Sequence, residues 1–272
     1  MSDNTSEPPG GVKPLRVLQV SDTHLYADPA ADLAGVPTSG SARAVLDAAL
    51  AGEAPDLIVA TGDLVHDGSA AGYERLRGWL ADSGVPALVI PGNHDDPVAM
   101  ARCFAEAPVT WRESVSIGGW QVIALDSHVP GEPWGRLGAA QLERLDGHLA
   151  AADTPVLVAV HHPPVAVGAR WLDGIALADG EALLARLGAC GRPAVVIWGH
   201  IHQAFEGWYG GVRLLGAPST CIQFAPLSGE FALDIRPPGW RELTLHPGGG
   251  NETCVGRLSD GAFRPVTDCE GY

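Results

Sequence analysis

Asp22-Thr23-His24, Gly62-Asp63, Gly92-Asn93-His94-Asp95, His161-His162-Pro163-Pro164 and Gly199-His200-Ile201-His202 follow one another along the chain, each closing a run of apolar residues. As candidate ligands they offer two carboxylates, Asp22 and Asp63, an amide oxygen and several imidazoles. Such a donor set suits two neighbouring divalent or trivalent ions, and a two-metal site with oxygen and imidazole ligands is a device for displacing an oxygen at phosphorus. Any one motif alone carries little, because a lone Asp or His after a strand commonly caps a turn or orders a loop. The weight lies in five of them, in order, each in the same position relative to an apolar run.

Those runs are the elements that must hold the motifs. Residues 15–20, 56–60, 86–90, 120–125, 155–160 and 194–198 are short and almost continuously hydrophobic, as strands buried on both faces are. Helical spacing lies between several of them: 41–53 (Ala44, Val45, Ala48 and Ala49 on one face), 70–81 (Tyr73, Leu76, Trp79, Leu80), 139–151 and 179–187. Strand–helix alternation predicts an α/β fold with helices packed outside a sheet. In open α/β sheets ligands sit beyond the carboxyl ends of strands, where all five motifs fall. Asp22 and His24, two apart in extended chain, are expected to point the same way. After residue 205, segments 212–216, 220–224, 230–235 and 241–246 read as consecutive strands of a second, more antiparallel sheet, with 252–258 as a last strand. One domain is expected over 14–258, preceded by a disordered segment, 1–13, and followed by an irregular tail, 259–272.

The 272 residues carry 17 basic against 32 acidic side chains, a net charge of −15, and Lys13 is the one lysine. A chain this acidic is poorly suited to tracking a nucleic-acid polymer, which rests on clustered cations. Positive charge at a site must therefore come from bound metal. Cys103, Cys190, Cys221, Cys254 and Cys269 show no CxxC spacing and argue against a disulfide framework; a Cys254–Cys269 bridge is the one pairing left open. The polar, Pro/Gly-rich start lacks a signal-peptide stretch, and no apolar run approaches the ~20 residues that span a bilayer. The expectation is a cytoplasmic protein without a membrane partner.

The ordered set Asp-Xaa-His, Gly-Asp, Gly-Asn-His, His and Gly-His-Xaa-His resembles the calcineurin-like metallophosphoesterase superfamily. The flanking text at Gly92-Asn93-His94-Asp95-Asp96, Leu125-Asp126-Ser127, His161-His162-Pro163-Pro164 and Thr220-Cys221-Ile222-Gln223-Phe224 is similar to the bacterial class III cyclic nucleotide phosphodiesterases and the related glycerophosphodiesterases. The resemblance reaches to about residue 246 and implies a four-layer α/β/β/α sandwich. It implies one metal held by Asp22, His24, Asp63 and His202, and a second by Asp63, Asn93, His161 and His200. Asp63 would bridge the two ions, with a hydroxide between metals about 3.5–4 Å apart as the nucleophile. Two divalent ions against two carboxylates leave a cationic site, and imidazole with carboxylate favours Mn, Fe, Co or Zn over Ca or Mg. His94 is then free to donate a hydrogen bond to the phosphoryl oxygen or a proton to the leaving oxygen, so Asn93 and His94 both face substrate.

Departures from the family pattern narrow the substrate. Protein serine/threonine phosphatases add arginines beside the second and third motifs; here Leu64-Val65-His66-Asp67 and Asp95-Asp96 stand there. A monoanionic diester fits better than a phosphoprotein. Purple acid phosphatases carry a metal-binding tyrosine where this chain has His66, so their chemistry is not indicated. Many relatives have an acidic residue at that place, which leaves the orienter of His94 open between His66 and Asp67. The text at 220–224 and 238–241 favours a cyclic nucleotide (cyclic AMP to AMP, or a 2′,3′-cyclic nucleotide) over the alternatives, a glycerophosphodiester or a non-catalytic metal- or nucleotide-binding module. Arg170 and Trp171 are further candidates for substrate contact, His162 is expected to brace its loop, and the aromatic content allows a homodimer.

Overall fold

The computed structural model describes residues 13–151, 153–259 and 261–268. The segment expected to be disordered lies, apart from Lys13, outside the described residues, and so does Cys269, the candidate partner of Cys254. Cys103, Cys190, Cys221 and Cys254 are free thiols.

Alternation of apolar side chains along the central strands decides the architecture. Strand β1 (Leu15–Val20) turns Leu15 and Val17 to one face and Leu18 and Val20 to the other. Strands β2 (Leu57–Thr61) and β3 (Ala87–Ile90) do the same, with Leu57, Val59, Leu88 and Ile90 opposite Ile58, Ala60, Ala87 and Val89. A sheet apolar on both faces must be covered on both. Helices α1 (Thr38–Leu50), α2 (Ala70–Asp82) and α3 (Pro97–Cys103) cover the outer face through Val45, Leu46, Tyr73, Leu76, Leu80 and Met100. Ser69 caps α2, and Asp96, followed by Pro97, caps α3 by accepting from Val98 and Ala99 N–H.

The chain then passes β4 (Val109–Thr110) and builds a second sheet from β5 (Ser114–Ile117), β6 (Trp120–Ala124), β7 (Val156–Ala159), β8 (Ala194–Trp198), β9 (Phe205–Tyr209) and β10 (Val212–Gly216). Helices α4 (Gly138–Ala151), α5 (Arg170–Asp173) and α6 (Gly180–Ala189) pack on its outer face. The two inner faces meet in a third apolar layer, where Val17, Val59 and Ile90 pack with Trp120, Val122, Leu157, Val195 and Ile197. Helix, sheet, sheet and helix make the expected four layers.

The last strands are β11 (Gly239–Leu245) and β12 (Asn251–Arg257). The first sheet runs β12-β11-β1-β2-β3-β4, with β1 to β4 parallel and β11 antiparallel to β1, Leu15 opposite Leu245. The second runs β9-β10-β8-β7-β6-β5, parallel from β10 to β6 with an antiparallel strand at each edge. This corrects the expectation of a separate late sheet: the chain after residue 205 is divided between the two sheets already formed. An unpaired strand edge is a liability, and β11 closes that of β1. Segments 220–224 and 230–235 shrink to two paired residues each, Gln223–Phe224 against Leu233–Asp234. Side-chain bonds replace the ladder there: Ser219 accepts from Cys221 N–H, and the Gln223 amide donates to Ser219 O. Arg241, fully buried on β11, reaches across to the carbonyls of Gly216 and Phe205 and to Glu206, tying one sheet to the other. No helix among the described residues is long and apolar enough to cross a membrane.

Candidate metal centre

All five motifs leave the carboxyl ends of parallel strands, β1, β2 and β3 of the first sheet and β7 and β8 of the second. The inner faces of the sheets lie against one another, so the motifs converge at one rim. Asp22, His24 and His202 bring ligand atoms within 4.8 Å of one another; so do Asp22, Asp63 and His161. Asn93 Oδ1 lies 3.2 Å from His161 Nε2 and 3.0 Å from His200 Nδ1. All seven residues expected as metal ligands therefore meet, and Asp22, His24, Asp63, His161, His200 and His202 are buried.

Three glycines make that approach feasible. A methyl group at Gly62 would collide with the His161 ring, at Gly92 with the Asp63 carboxylate and at Gly199 with the Ser21 hydroxyl. Asp22 and His24 do converge, but not through extended chain. Their φ values are 55° and 44°, and Asp63, His200 and His202 are left-handed as well, at 50°, 64° and 47°. Tertiary bonds impose this: Asp22 N–H donates to Gly62 O, and His24 N–H to Asp63 O. Strain of this kind persists only where surrounding structure over-determines it, and it clusters at functional sites.

The donor set is short of donors. His202 Nδ1 faces the Ile222 carbonyl at 2.9 Å, which requires an N–H there and, in the neutral ring, makes the Nε2 lone pair an acceptor. That lone pair points at His24 Nε2, 3.2 Å away, and Asp22 Oδ1, 3.5 Å away. His161 Nδ1 is likewise turned to Thr61 O at 2.7 Å, so its Nε2 faces Asn93 Oδ1 and, at 3.3 Å, Asp63 Oδ2. Asp22 Oδ2 and His200 Nε2 are buried without a hydrogen-bond partner. Two carboxylates, an amide oxygen and imidazole nitrogens converging at these distances form a donor set that fits cations.

Electrostatics agree. Burial drives His24 well below the ordinary histidine value, with His94, His202 and His66 adding to it against Asp63. Burial and the neighbouring His161 bring His200 down to about 3. Desolvation also pulls on His161, but the Asp63 carboxylate holds it up at about 9. Without metal, then, a proton on His161 stands where a cation would.

Around the ligands lies a bracing layer. Asp95 accepts from Leu64, Val65 and Gly92 N–H and from the Tyr73 hydroxyl, locking the second and third motifs together. Its carboxyl is pushed up to about 7 by burial and by Asp63. His162 packs against His200 with ring centroids 4.6 Å apart and bonds Ser127 Oγ at 2.8 Å, so it braces its loop as expected. His66 turns Nδ1 to His24 Nδ1 at 3.1 Å and stacks on His94, centroids 4.4 Å apart and planes 23° apart. Asp67 instead accepts from Ala27 and Ser69 N–H. His66 is thus in ring contact with His94, as is His24 at 5.0 Å between centroids.

His94, half-buried, holds Asp63 Oδ1 through its backbone N–H at 3.0 Å and presents its ring to a cavity of about 510 Å³. Asn93, His94 and His200, with Glu132, are its polar lining; Trp171, Phe224 and Phe231 form an apolar wall. Trp171 thus reaches the cavity. Arg170 does not line it, and donates from Nε to Gly229 O at 3.4 Å. Phe231 lies in the segment 230–235, whose alternation predicts a strand but gives no sign of a place at the site.

Fold, strand-end motifs and convergent acceptors define a metallophosphoesterase, and the chain belongs to the calcineurin-like phosphoesterase family, whose model matches residues 15–204. Its relatives are more particular. It is 41% identical over 268 residues to the 3′,5′-cyclic adenosine monophosphate phosphodiesterase CpdA of Escherichia coli K12, covering 97% of this chain and 98% of that protein. The CpdA proteins of Vibrio vulnificus and Pseudomonas aeruginosa are each 40% identical, covering 95% and 94% of both partners. Among solved structures, a dimetal phosphatase of Danio rerio aligns with a TM-score of 0.62 at 15% identity, covering 91% of this chain and all of that one. A purple acid phosphatase of yellow lupin aligns at 0.60 and 16%, covering 96% of this chain and 54% of that one. These two likenesses concern the fold.

Proposed function

We propose that this protein is a two-metal phosphodiesterase that hydrolyses a cyclic nucleotide, cyclic AMP to AMP. The observation that carries the reading is the convergence of seven acceptor-rich residues beside a cavity with one polar and one apolar end. Near-full-length identity of about 40% to enzymes named for cyclic AMP supports the substrate.

Asp22, His24, Asp63 and His202 would hold one ion, and Asp63, Asn93, His161 and His200 the other, from among Mn, Fe, Co and Zn. Bound there, the ions supply charge neutralisation at phosphorus and a water of lowered pKa. The chain's own residues do the rest. Thr61 O and Ile222 O fix the His161 and His202 tautomers, so that both direct Nε2 inward. Asn93 and His94 flank the phosphoryl group, and His94 gives a hydrogen bond to its oxygen or a proton to the departing ribose oxygen. The stacked His66 limits the swing of the His94 ring.

Free thiols at the described cysteines suit a reducing compartment, the cytoplasm. Trp208 and Tyr209, exposed on edge strand β9, are compatible with a homodimer.

The test is turnover of cyclic AMP, cyclic GMP, 2′,3′-cyclic AMP and glycerophosphocholine by the Mn²⁺-loaded protein. Cyclic AMP should be the best substrate. Glycerophosphocholine turnover without cyclic nucleotide turnover would move the protein to the glycerophosphodiesterases. A metal-loaded protein inert toward all four and toward bis(p-nitrophenyl) phosphate would end the reading.

A further inference from the structure

The apolar wall of the cavity has no task in phosphoryl chemistry. Trp171 comes from α5; Phe224 and Phe231 come from the two-residue ladder and turn that follow β10. The three rings form one edge-to-face cluster. Trp171 stands 4.9 Å from Phe224 at 74° and 5.4 Å from Phe231 at 70°; Phe224 and Phe231 are 5.7 Å apart at 67°. Phe224 also stacks flat on His202, centroids 4.1 Å apart and planes 11° apart. The wall therefore begins at the metal ligands and runs outward from them.

Its position is built. Ala225 N–H bonds Ala232 O and closes the turn that delivers Phe231, and Arg170 holds that turn through Gly229 O. An ordered apolar surface facing an open cavity, with a polar cluster at one end, is the form of a pocket that orients an amphiphilic ligand.

We propose that this wall is a nucleobase slot: Trp171, Phe224 and Phe231 receive a purine ring while Asn93, His94 and His200 face the phosphate. The inference deepens the function proposed above and rests on it. It makes the wall, not the metals, the source of preference for a cyclic nucleotide. The small polar headgroup of a glycerophosphodiester offers this aromatic lining no flat partner, whereas a heteroaromatic ring does. Stacking on aromatic side chains is tolerant of base identity. Cyclic AMP and cyclic GMP should therefore be separated by less than either is from a diester without a base.

Adenosine, which has the base but no phosphate, is the probe. Calorimetric titration of the Mn²⁺-loaded full chain should show adenosine binding. Trp171→Ala and Phe231→Leu should each weaken it about tenfold, the loss of one stacking partner. Both should leave the affinity for inorganic phosphate within about twofold. Trp171→Phe, which keeps a ring and fills most of the volume, should recover most of the loss and so separate stacking from folding. The slot is overturned if adenosine does not bind the wild type, or if the variants weaken adenosine and phosphate equally. Cyclic AMP turnover without adenosine binding would sink the slot and leave the phosphodiesterase standing. Adenosine binding that follows the variants, without turnover of any cyclic nucleotide, would support the slot and sink the activity.

Discussion

The proposed metal centre has two walls, and they are held by opposite chemistry. The first sheet contributes Asp22, His24, Asp63 and Asn93, which include every oxygen donor of the set; the second contributes only imidazoles, His161, His200 and His202. The carboxylates are gripped by N–H groups: His94 N–H on Asp63, His200 N–H on Asp22. The imidazoles are gripped by carbonyls, Thr61 O on His161 and Ile222 O on His202. Each wall is also braced from the other sheet, since Thr61 ends β2 while His200 follows β8. Neither wall is complete without its partner's backbone, so a site set between two sheets keeps its geometry only while the sheets keep their register.

The largest break in that comparison comes from Asp63, the first-wall residue proposed to serve both ions. Asp63→Ala should abolish binding at both positions and lower turnover on the order of 10³-fold or more, the several kcal/mol a catalytic metal supplies. Metal analysis should find both ions lost; retention of one would mean Asp63 serves a single ion. His94 belongs to neither wall. His94→Ala should cost roughly 10²-fold in kcat for cyclic AMP and much less for a nitrophenyl ester, whose leaving group needs no proton. Metal content should be unchanged, and equal losses on both substrates would remove the acid role.

Bracing comes next. Asp95→Ala removes acceptors from three backbone N–H groups on the oxygen wall and should weaken metal affinity about 10- to 100-fold. Competition with a chelating dye reads this directly, and an affinity within twofold of wild type would deny Asp95 that part. The smallest effect concerns the nitrogen wall and pH. His161, held up at about 9 by Asp63 against desolvation, carries a proton at neutral pH in the metal-free protein. Metal must displace it, so apparent affinity should rise with pH, about tenfold per unit at most, and level off near pH 9. A flat profile would show that His161 enters the site already neutral.

Much of this was legible before any coordinates. Continuous apolar runs marked β1, β2, β3, β7 and β8 because strands covered on both faces have little room for polar residues. Motifs at their ends marked the rim because parallel strands expose their carboxyl ends together. The sheet membership of β11 and β12 was not legible, since pairing goes to whichever edge is unfilled and no local pattern records which edge that is. The backbone at Asp22 and His24 was read as extended for the same reason: its hand is set by bonds to Gly62 and Asp63, about forty residues away. His66 could be flagged as a departure, but only geometry shows its ring against His94. Phe231 fell within the strand expected at 230–235, and alternation cannot tell a cavity wall from a core face.

The left-handed backbone at the ligands has one further consequence. Among the described residues, eight non-glycine positions have positive φ, and five of them are Asp22, His24, Asp63, His200 and His202. Each costs roughly 1 kcal/mol or more, which glycine would not incur. These same five residues are the proposed metal ligands, buried and held by bonds from both sheets, so the strained conformations are concentrated where the carboxylates and imidazoles converge and not in the surface turns.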